Sequence, residues 1–320
     1  MATTAGMKPD GARAQAGSRE LAERICGQMR EDGAEEAAPG LFLYRASAPT
    51  GPRFGVSEPS FCVIAQGAKE VMLGGERYRY DASRYLLASI GLPVVSHIVA
   101  ASRETPYLAV RVVLDPATLS AALLDSGLIA SRTEEDMKGL AVSTLDPDLL
   151  DALVRLIRLL DTPDDLGALA PLIKREIVYR LLLGEQGGRL RQFAAAGGRG
   201  HRIARAIERL RAHRGKPLGV EGLAKQAGMS VSGFHHQFKA VTAMSPLQFQ
   251  KQLRLQEARR LLLAGDVDAA TAGYRVGYDD PAHFSREYKR LFGNPPMRDV
   301  ERARGAAGVR TELVVSGGAL

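Results

Sequence analysis

The sequence predicts an α+β chain: an N-terminal antiparallel β barrel or jelly roll backed by helices, then an all-α region with two helix-turn-helix units. Three observations carry this. Short apolar runs between Phe61 and Leu114 follow one another without an intervening helical period. From Asp115 onward the apolar spacing becomes helical. Between residues 218 and 300 one short pattern occurs twice, 50 residues apart.

The elements follow in order. Met1 to Ser18 is small, polar and Gly/Ala-rich, and reads as a disordered leader without the apolar core of a secretory signal. Ser18 to Gln28 reads as a short helix, and Glu31 to Gly40 as an acidic connector. From Leu41 the chain turns to short strands. Phe61-Cys62-Val63-Ile64-Ala65 is a buried-strand run, and Val71-Met72-Leu73, Gly74-Gly75 and Arg77-Tyr78-Arg79-Tyr80 make a hairpin with a glycine turn. Tyr85 to Ala88, Val94 to Ala100 and Tyr107 to Leu114 add three strands, a spacing that suits a closed antiparallel architecture. Asp115-Pro116 and Asp146-Pro147 each place an N-cap before a proline at the first helical position. A third helix is predicted from about Asp165 to Leu183; two neighbouring helices this apolar need the sheet or a second subunit as partner. Gly187-Gly188 and Gly197-Gly198 mark 185–200 as a linker, and 305–320 as a loose tail.

The repeat carries the functional signal. Val220-x-x-Leu223-Ala224-x-x-Ala227-Gly228 precedes Phe234-His235-His236-Gln237-Phe238-Lys239. Ala269-x-x-Ala272-Gly273-x-x-Val276-Gly277 precedes Phe284-Ser285-Arg286-Glu287-Tyr288-Lys289, and Pro246 and Pro296 follow at matching distances. Helix, tight glycine turn and second helix form the unit that lays its second helix in the DNA major groove, here at about 218–241 and 267–291. Charge agrees: of the net +7, residues 199–304 carry 20 Lys+Arg against 10 Asp+Glu, an electrostatic footprint for phosphates.

Each second helix has two faces. Ser230 reads as an N-cap, with Val231, Phe234, Phe238 and Val241 inward and Ser232, His235, His236 and Lys239 outward. After Asp280-Pro281, Phe284, Tyr288 and Leu291 face inward, and Ala282, Ser285, Arg286 and Lys289 outward. Arg286 has the fork that pairs with guanine O6 and N7, Ala282 suits a thymine methyl, and His and Ser bond base edges or phosphates. Lys239 and Lys289, one to two turns on, suit phosphates. The candidate DNA-binding set is therefore Ser230, Ser232, His235, His236, Lys239, Ala282, Ser285, Arg286 and Lys289. His235 and His236 are adjacent, so on a helix they diverge by about 100° and do not chelate one metal.

The run Val276-Gly277-Tyr278-Asp279-Asp280-Pro281-Ala282-His283-Phe284-Ser285-Arg286-Glu287-Tyr288-Lys289-Arg290-Leu291-Phe292-Gly293-Asn294-Pro295-Pro296 resembles the signature of the AraC/XylS family of transcriptional regulators. The resemblance covers about residues 202 to 302 and implies two helix-turn-helix subdomains joined by a long helix, here about Pro246 to Ala264. The chain departs from the family pattern at Pro295, where Ser or Thr is common, and at Asp299-Val300, where Tyr-Arg is common. Ala269, Ala272 and Gly273 are small where Ile, Ile and Ala are frequent. Gly273 costs about 1 kcal/mol of helix propensity relative to Ala, which points to a softer second head. In the N-terminal half, Gln66-Gly67-x-Lys69, Tyr78-x-Tyr80-Asp81, Tyr85-Leu86-Leu87 and Leu92-Pro93 resemble the sensor region of the branch that contains the aldehyde-responsive regulator YqhC. That resemblance implies a cupin-like β domain at 41–184, ahead of a DNA-binding domain at 201–304.

Other classes find little support. Cys26 and Cys62 are the only cysteines, too few for a disulfide framework or a Cys-ligated zinc site. His97 is the only histidine of the β region, and no Ser/His/Asp constellation, phosphate loop or dinucleotide fingerprint occurs. No cofactor, metal or membrane is expected, and the chain reads as cytoplasmic rather than enzymatic. The expected partners are double-stranded promoter or operator DNA, a small-molecule effector, RNA polymerase and a second copy in a homodimer. Two readings stay open for the β domain: effector binding, or dimerisation alone with constitutive DNA binding. Cys62 as an electrophile or redox sensor is a third, set against its place inside a buried-strand run.

Overall fold

In the computed structural model, residues 9–128, 137–195, 197–213, 218–265 and 267–306 are described. The first part of the leader and the tail from 307 lie outside them.

Among the described residues, ten strands form two facing antiparallel sheets. They are β1 (Gly33–Ala38), β2 (Leu41–Ala46), β3 (Arg53–Val56), β4 (Ser60–Gln66), β5 (Ala68–Leu73), β6 (Glu76–Asp81), β7 (Arg84–Ala88), β8 (Pro93–Ala100), β9 (Tyr107–Val113) and β10 (Leu140–Thr144). One sheet runs β1-β2-β9-β4-β7-β10, the other β3-β8-β5-β6. The β5–β6 hairpin pairs Leu73 with Glu76, and its turn needs Gly74 at φ +60°, a region closed to most side chains.

Side-chain alternation divides the six-stranded sheet between two cores. Phe61, Val63, Val110 and Val112 point outward. There they meet α1 (Pro9–Gln28), α2 (Pro116–Ser126), α3 (Pro147–Arg158) and α4 (Pro163–Leu183). Cys62, Ile64, Leu86 and Ala109 point inward, opposite Val71, Leu73 and Tyr80 of the other sheet. The second core does not end at the sheets. It continues into α6 (Arg199–Ala212), α7 (Val220–Gln226), α8 (Val231–Thr242) and the first half of α9 (Pro246–Ala264) through Ile203, Leu223, Phe234, Phe238 and Phe249. A third core lies under α9's second half, α10 (Ala269–Arg275), α11 (Pro281–Phe292) and α12 (Pro296–Ala306).

Four local expectations are corrected. The first helix begins at Pro9, within the span read as a leader, because Leu21 and Ile25 are fully buried and Glu20 binds Arg158 at 2.7 Å. Tertiary contact outweighs the weak propensity of its Gly/Ala-rich start. The acidic connector is strand β1, paired with β2. The Gly-rich linker contains α5 (Gly187–Ala194), with Leu190 and Phe193 buried. After the helical period begins, the chain returns once to the sheet as β10, along β7.

Of the two apolar helices, α3 buries its whole stripe, Leu149 to Ile157. On α4, Ile177, Val178, Leu181 and Leu182 are buried. Leu169, Leu172, Tyr179 and Leu183 stand 41–63% exposed.

Candidate nucleic-acid interface

The first head is α7 and α8. Ser230 caps α8, its Oγ accepting from Gly233 N at 3.2 Å, and Gly228 makes the preceding turn at φ +62°. Phe234, Phe238 and Val241 are fully buried, with the rings of Phe238 and Phe249 5.3 Å apart edge to face. Val231 departs from the predicted inward stripe: it sits at the first turn of α8 and is 42% exposed. The second head is α10 and α11. Asp280 caps α11 by accepting from Ala282 N at 2.8 Å and His283 N at 3.2 Å. Phe284 and Tyr288 are buried, and Phe292 rather than Leu291 completes the stripe.

Burial of these stripes leaves the opposite faces open. Ser230, Ser232, His236 and Lys239 on the first head are exposed, and His235 is half-buried. On the second, Ala282, Arg286 and Lys289 are exposed and Ser285 is half-buried. Arg286 lies loosely over its own helix start, 3.9 Å from the Asp280 carboxylate, a separation that leaves the guanidinium free to turn outward.

Helix α9 joins the heads over 19 residues, with the expected bounds. A capping box at Ser245 and Gln248 starts it, and Gly265 at φ +86° ends it. Its polar side chains hold the second head, which the sequence did not reveal. Arg254 donates to Val276 O at 2.5 Å and to Gly277 O, and its guanidinium lies 4.4 Å from the Tyr278 ring centroid. Lys251 pairs with Glu287 at 2.5 Å, and that bond holds the carboxyl below its usual range. Arg259 binds Asp299 at 2.7 Å, and Asp299 accepts from the Tyr288 hydroxyl at 2.9 Å. Burial and that carboxylate push the Tyr288 hydroxyl far up its titration range.

This network and the packing beside it account for two departures from the family pattern. Asp299 is a buried hinge-pin between α9, α11 and α12. Gly273 is buried, and a Cβ there would meet the Phe284 ring at 3.0 Å, so the missing side chain lets α10 and α11 approach closely. Pro295 offers no side-chain acceptor, unlike Ser245 at the corresponding place in the first head.

The β domain touches both heads. Gly139 N donates to Val241 O at 2.8 Å, and Gly74 lies so close to Ala243 O that a Cβ would sit 2.8 Å from it. Phe54 of β3 packs edge to face on Phe292 at 4.7 Å, with Arg259 5.6 Å over its ring.

Comparison with known proteins follows this division. The AraC-type transcriptional regulator N-terminus matches residues 37–189, and a helix-turn-helix domain matches residues 223–302. The chain belongs to the AraC/XylS family of transcriptional regulators. It is similar to the HTH-type transcriptional activator RhaS of Salmonella arizonae, 36% identical over 86 residues, which are 27% of this chain and 31% of that protein. The matched segment thus spans about a third of the length of that relative. Its fold is similar to apo ToxT of Vibrio cholerae, with a TM-score of 0.53 at 10% identity over 85% of this chain and 99% of that one. ToxT bound to an unsaturated fatty acid gives 0.51 at 11% identity, over 85% and 97%. No group of three or more His, Cys, Asp or Glu side chains able to hold a metal occurs among the described residues, and no described helix is long and apolar enough to cross a membrane.

Proposed function

We propose that the chain is a cytoplasmic promoter-binding regulator whose two heads read DNA through Ser230, Ser232, His235, His236 and Lys239 of the first and Ala282, Ser285, Arg286 and Lys289 of the second. A small molecule bound in the β domain controls it, and RNA polymerase is the partner at the promoter. The observation that carries the control reading is the core shared by the β domain and the first head, together with Phe54 seated on Phe292 of the second. A packed, continuous core transmits a rearrangement because it has discrete arrangements rather than a soft hinge. Phe54→Ala in the full chain tests this. Operator affinity at fixed salt, read by fluorescence anisotropy, should change by roughly 5-fold or more, the lower end of ordinary allosteric couplings. Unchanged affinity would favour a β domain that only dimerises.

The dimer contact in this reading is the exposed face of α4. Leu169, Leu172, Tyr179 and Leu183 recur at the spacings of a coiled-coil seam, with Glu176 at the position between. Leu172→Glu should turn a sedimenting dimer into a monomer, and a wild-type monomer at micromolar concentration would remove the assignment.

A further inference from the structure

Between the two sheets lies a cation with no counter-charge. Lys69 alternates with Glu70 along β5, so its stem turns inward with Val71 while Glu70 faces outward to Arg77 and His97. Lys69 is 7% exposed. Its ammonium lies 6.0 Å from the Tyr44 ring centroid, and no hydrogen bond or ion pair joins it to a described residue. The charged and titratable groups acting on it are Cys62, Arg53 and Arg111. Two of these are cations, and burial pushes the Cys62 thiol up, so it brings no negative charge at neutral pH. Glu58 is engaged by Arg111 at 3.3 Å, and Arg111 also donates to the Tyr44 hydroxyl at 3.0 Å.

Burial lowers the Lys69 amine to about 8, which leaves it mostly protonated at neutral pH. An unpaired buried charge is costly, and a site that keeps one is prepared for an opposite charge. The surroundings restrict the ligand further. Half-buried Tyr44 and buried Tyr80 and Tyr107 remain protonated, since burial raises all three; the Tyr80 hydroxyl donates to Tyr107, which leaves the Tyr44 and Tyr107 hydroxyls as donors. Beyond them the interior is apolar, with Ile64, Val71 and Leu86. One unengaged cation with phenols at one end and hydrocarbon at the other suits a singly charged head on an apolar tail. A phosphate would ask for more unengaged cations, and a sugar for more polar lining.

We propose that the interior between the sheets opens at Lys69 to take the carboxylate of an apolar-tailed organic acid, paired with the Lys69 ammonium and hydrogen-bonded by the Tyr44 or Tyr107 hydroxyl. This rests on the effector-control reading and names the chemical class of its effector.

The test uses the full chain without DNA. Straight-chain acids from butanoate to hexadecanoate, with benzoate and phenylacetate, are compared with their primary amides by thermal melting and titration calorimetry. At least one acid should raise the melting temperature by several degrees while its amide does not, since a ligand of the native state stabilises it by mass action. Lys69→Met should melt higher than the wild type without ligand and lose the response to acid. Absence of any acid response in the wild type overturns the proposal, as does an equal response to the amide, and that arm decides the matter even if the variant fails to fold. Retention of the acid response by a folded Lys69→Met also overturns it. Operator affinity with and without the binding acid is then measured separately. If the acid binds and DNA affinity does not move, the site stands and effector control falls.

Discussion

Arg254→Ala should loosen the second head and leave the first intact. In the native protein the guanidinium bonds Val276 O and Gly277 O, the carbonyls of the turn between α10 and α11, and covers the Tyr278 ring. Hydrogen bonds from a charged donor contribute about 1.5–3 kcal/mol each, and an exposed to partly desolvated cation–π contact about 0.5–2 kcal/mol. Arg254 is half-buried, so water recovers part of the loss, and a net cost of about 2–4 kcal/mol is expected. That corresponds to roughly a 30-fold to 1,000-fold rise in local opening. The loss stays local because α10 and α11 rest on a core separate from the one beneath α8. Hydrogen exchange read by mass spectrometry measures it: peptides from 269–292 should exchange faster by that factor, and those from 231–242 at the wild-type rate. Arg254→Lys should fall between, since an ammonium cannot fork onto two carbonyls in one plane. Equal acceleration in both heads, or none in α11, would refute the assignment of Arg254 as the clasp of the second head.

Other outcomes follow from the same contacts. Gly273→Ala gains about 1 kcal/mol of helix propensity but drives a methyl into the Phe284 ring, an overpacking cost of about 1–3 kcal/mol, so urea denaturation should show a less stable second head. Arg286→Ala should relax base preference at one or two positions of a selected binding site and cost about 1–3 kcal/mol. Lys289→Ala should weaken all sequences alike and reduce the log–log salt slope by about 0.9. Burial brings the Lys69 amine down to about 8 from the usual 10.5, so between those pH values the unfolded state holds the extra proton. The burial penalty is complete below pH 8 and gone above pH 10.5. Lys69→Met should therefore exceed the wild type by on the order of 3 kcal/mol at pH 7, a gap that closes toward pH 10.5 in paired urea titrations.

The features legible in the sequence are those written in local chemistry. Asp115, Asp146, Ser230 and Asp280 all cap the helices that follow them, because a cap is a bond between near neighbours. Gly74-Gly75 marks its hairpin for the same reason, and the two faces of α8 and α11 follow from the helical period. What escaped depends on distant partners. Helix α1 is fixed by Leu21 and Ile25 and by Arg158 beyond residue 150, and β1 and β10 exist only as edges of a sheet built elsewhere. Arg254, Arg259 and Asp299 look like ordinary surface charges, since nothing in their spacing tells which carbonyl or hydroxyl they meet 11 to 40 residues away. In the sequence Lys69 figures only in a family resemblance, and its unpaired burial follows from strands that close around it.

In the proposed function one chain reads DNA with two differently equipped heads held apart by a rigid helix. Helix α9 has 19 residues, so at 1.5 Å per residue it spans about 28 Å, close to one helical turn of DNA, ~34 Å. Because the outward residues differ, with Ser232, His235 and His236 on one head and Ala282, Ser285 and Arg286 on the other, one protomer should protect an asymmetric site. Hydroxyl-radical footprinting of the full-length protein on a selected operator tests this directly. Each bound protomer should give two protected patches on one face of the duplex, centred about 10 bp apart. A single patch per protomer would mean that only one head reads DNA, and would contradict the two-headed reading.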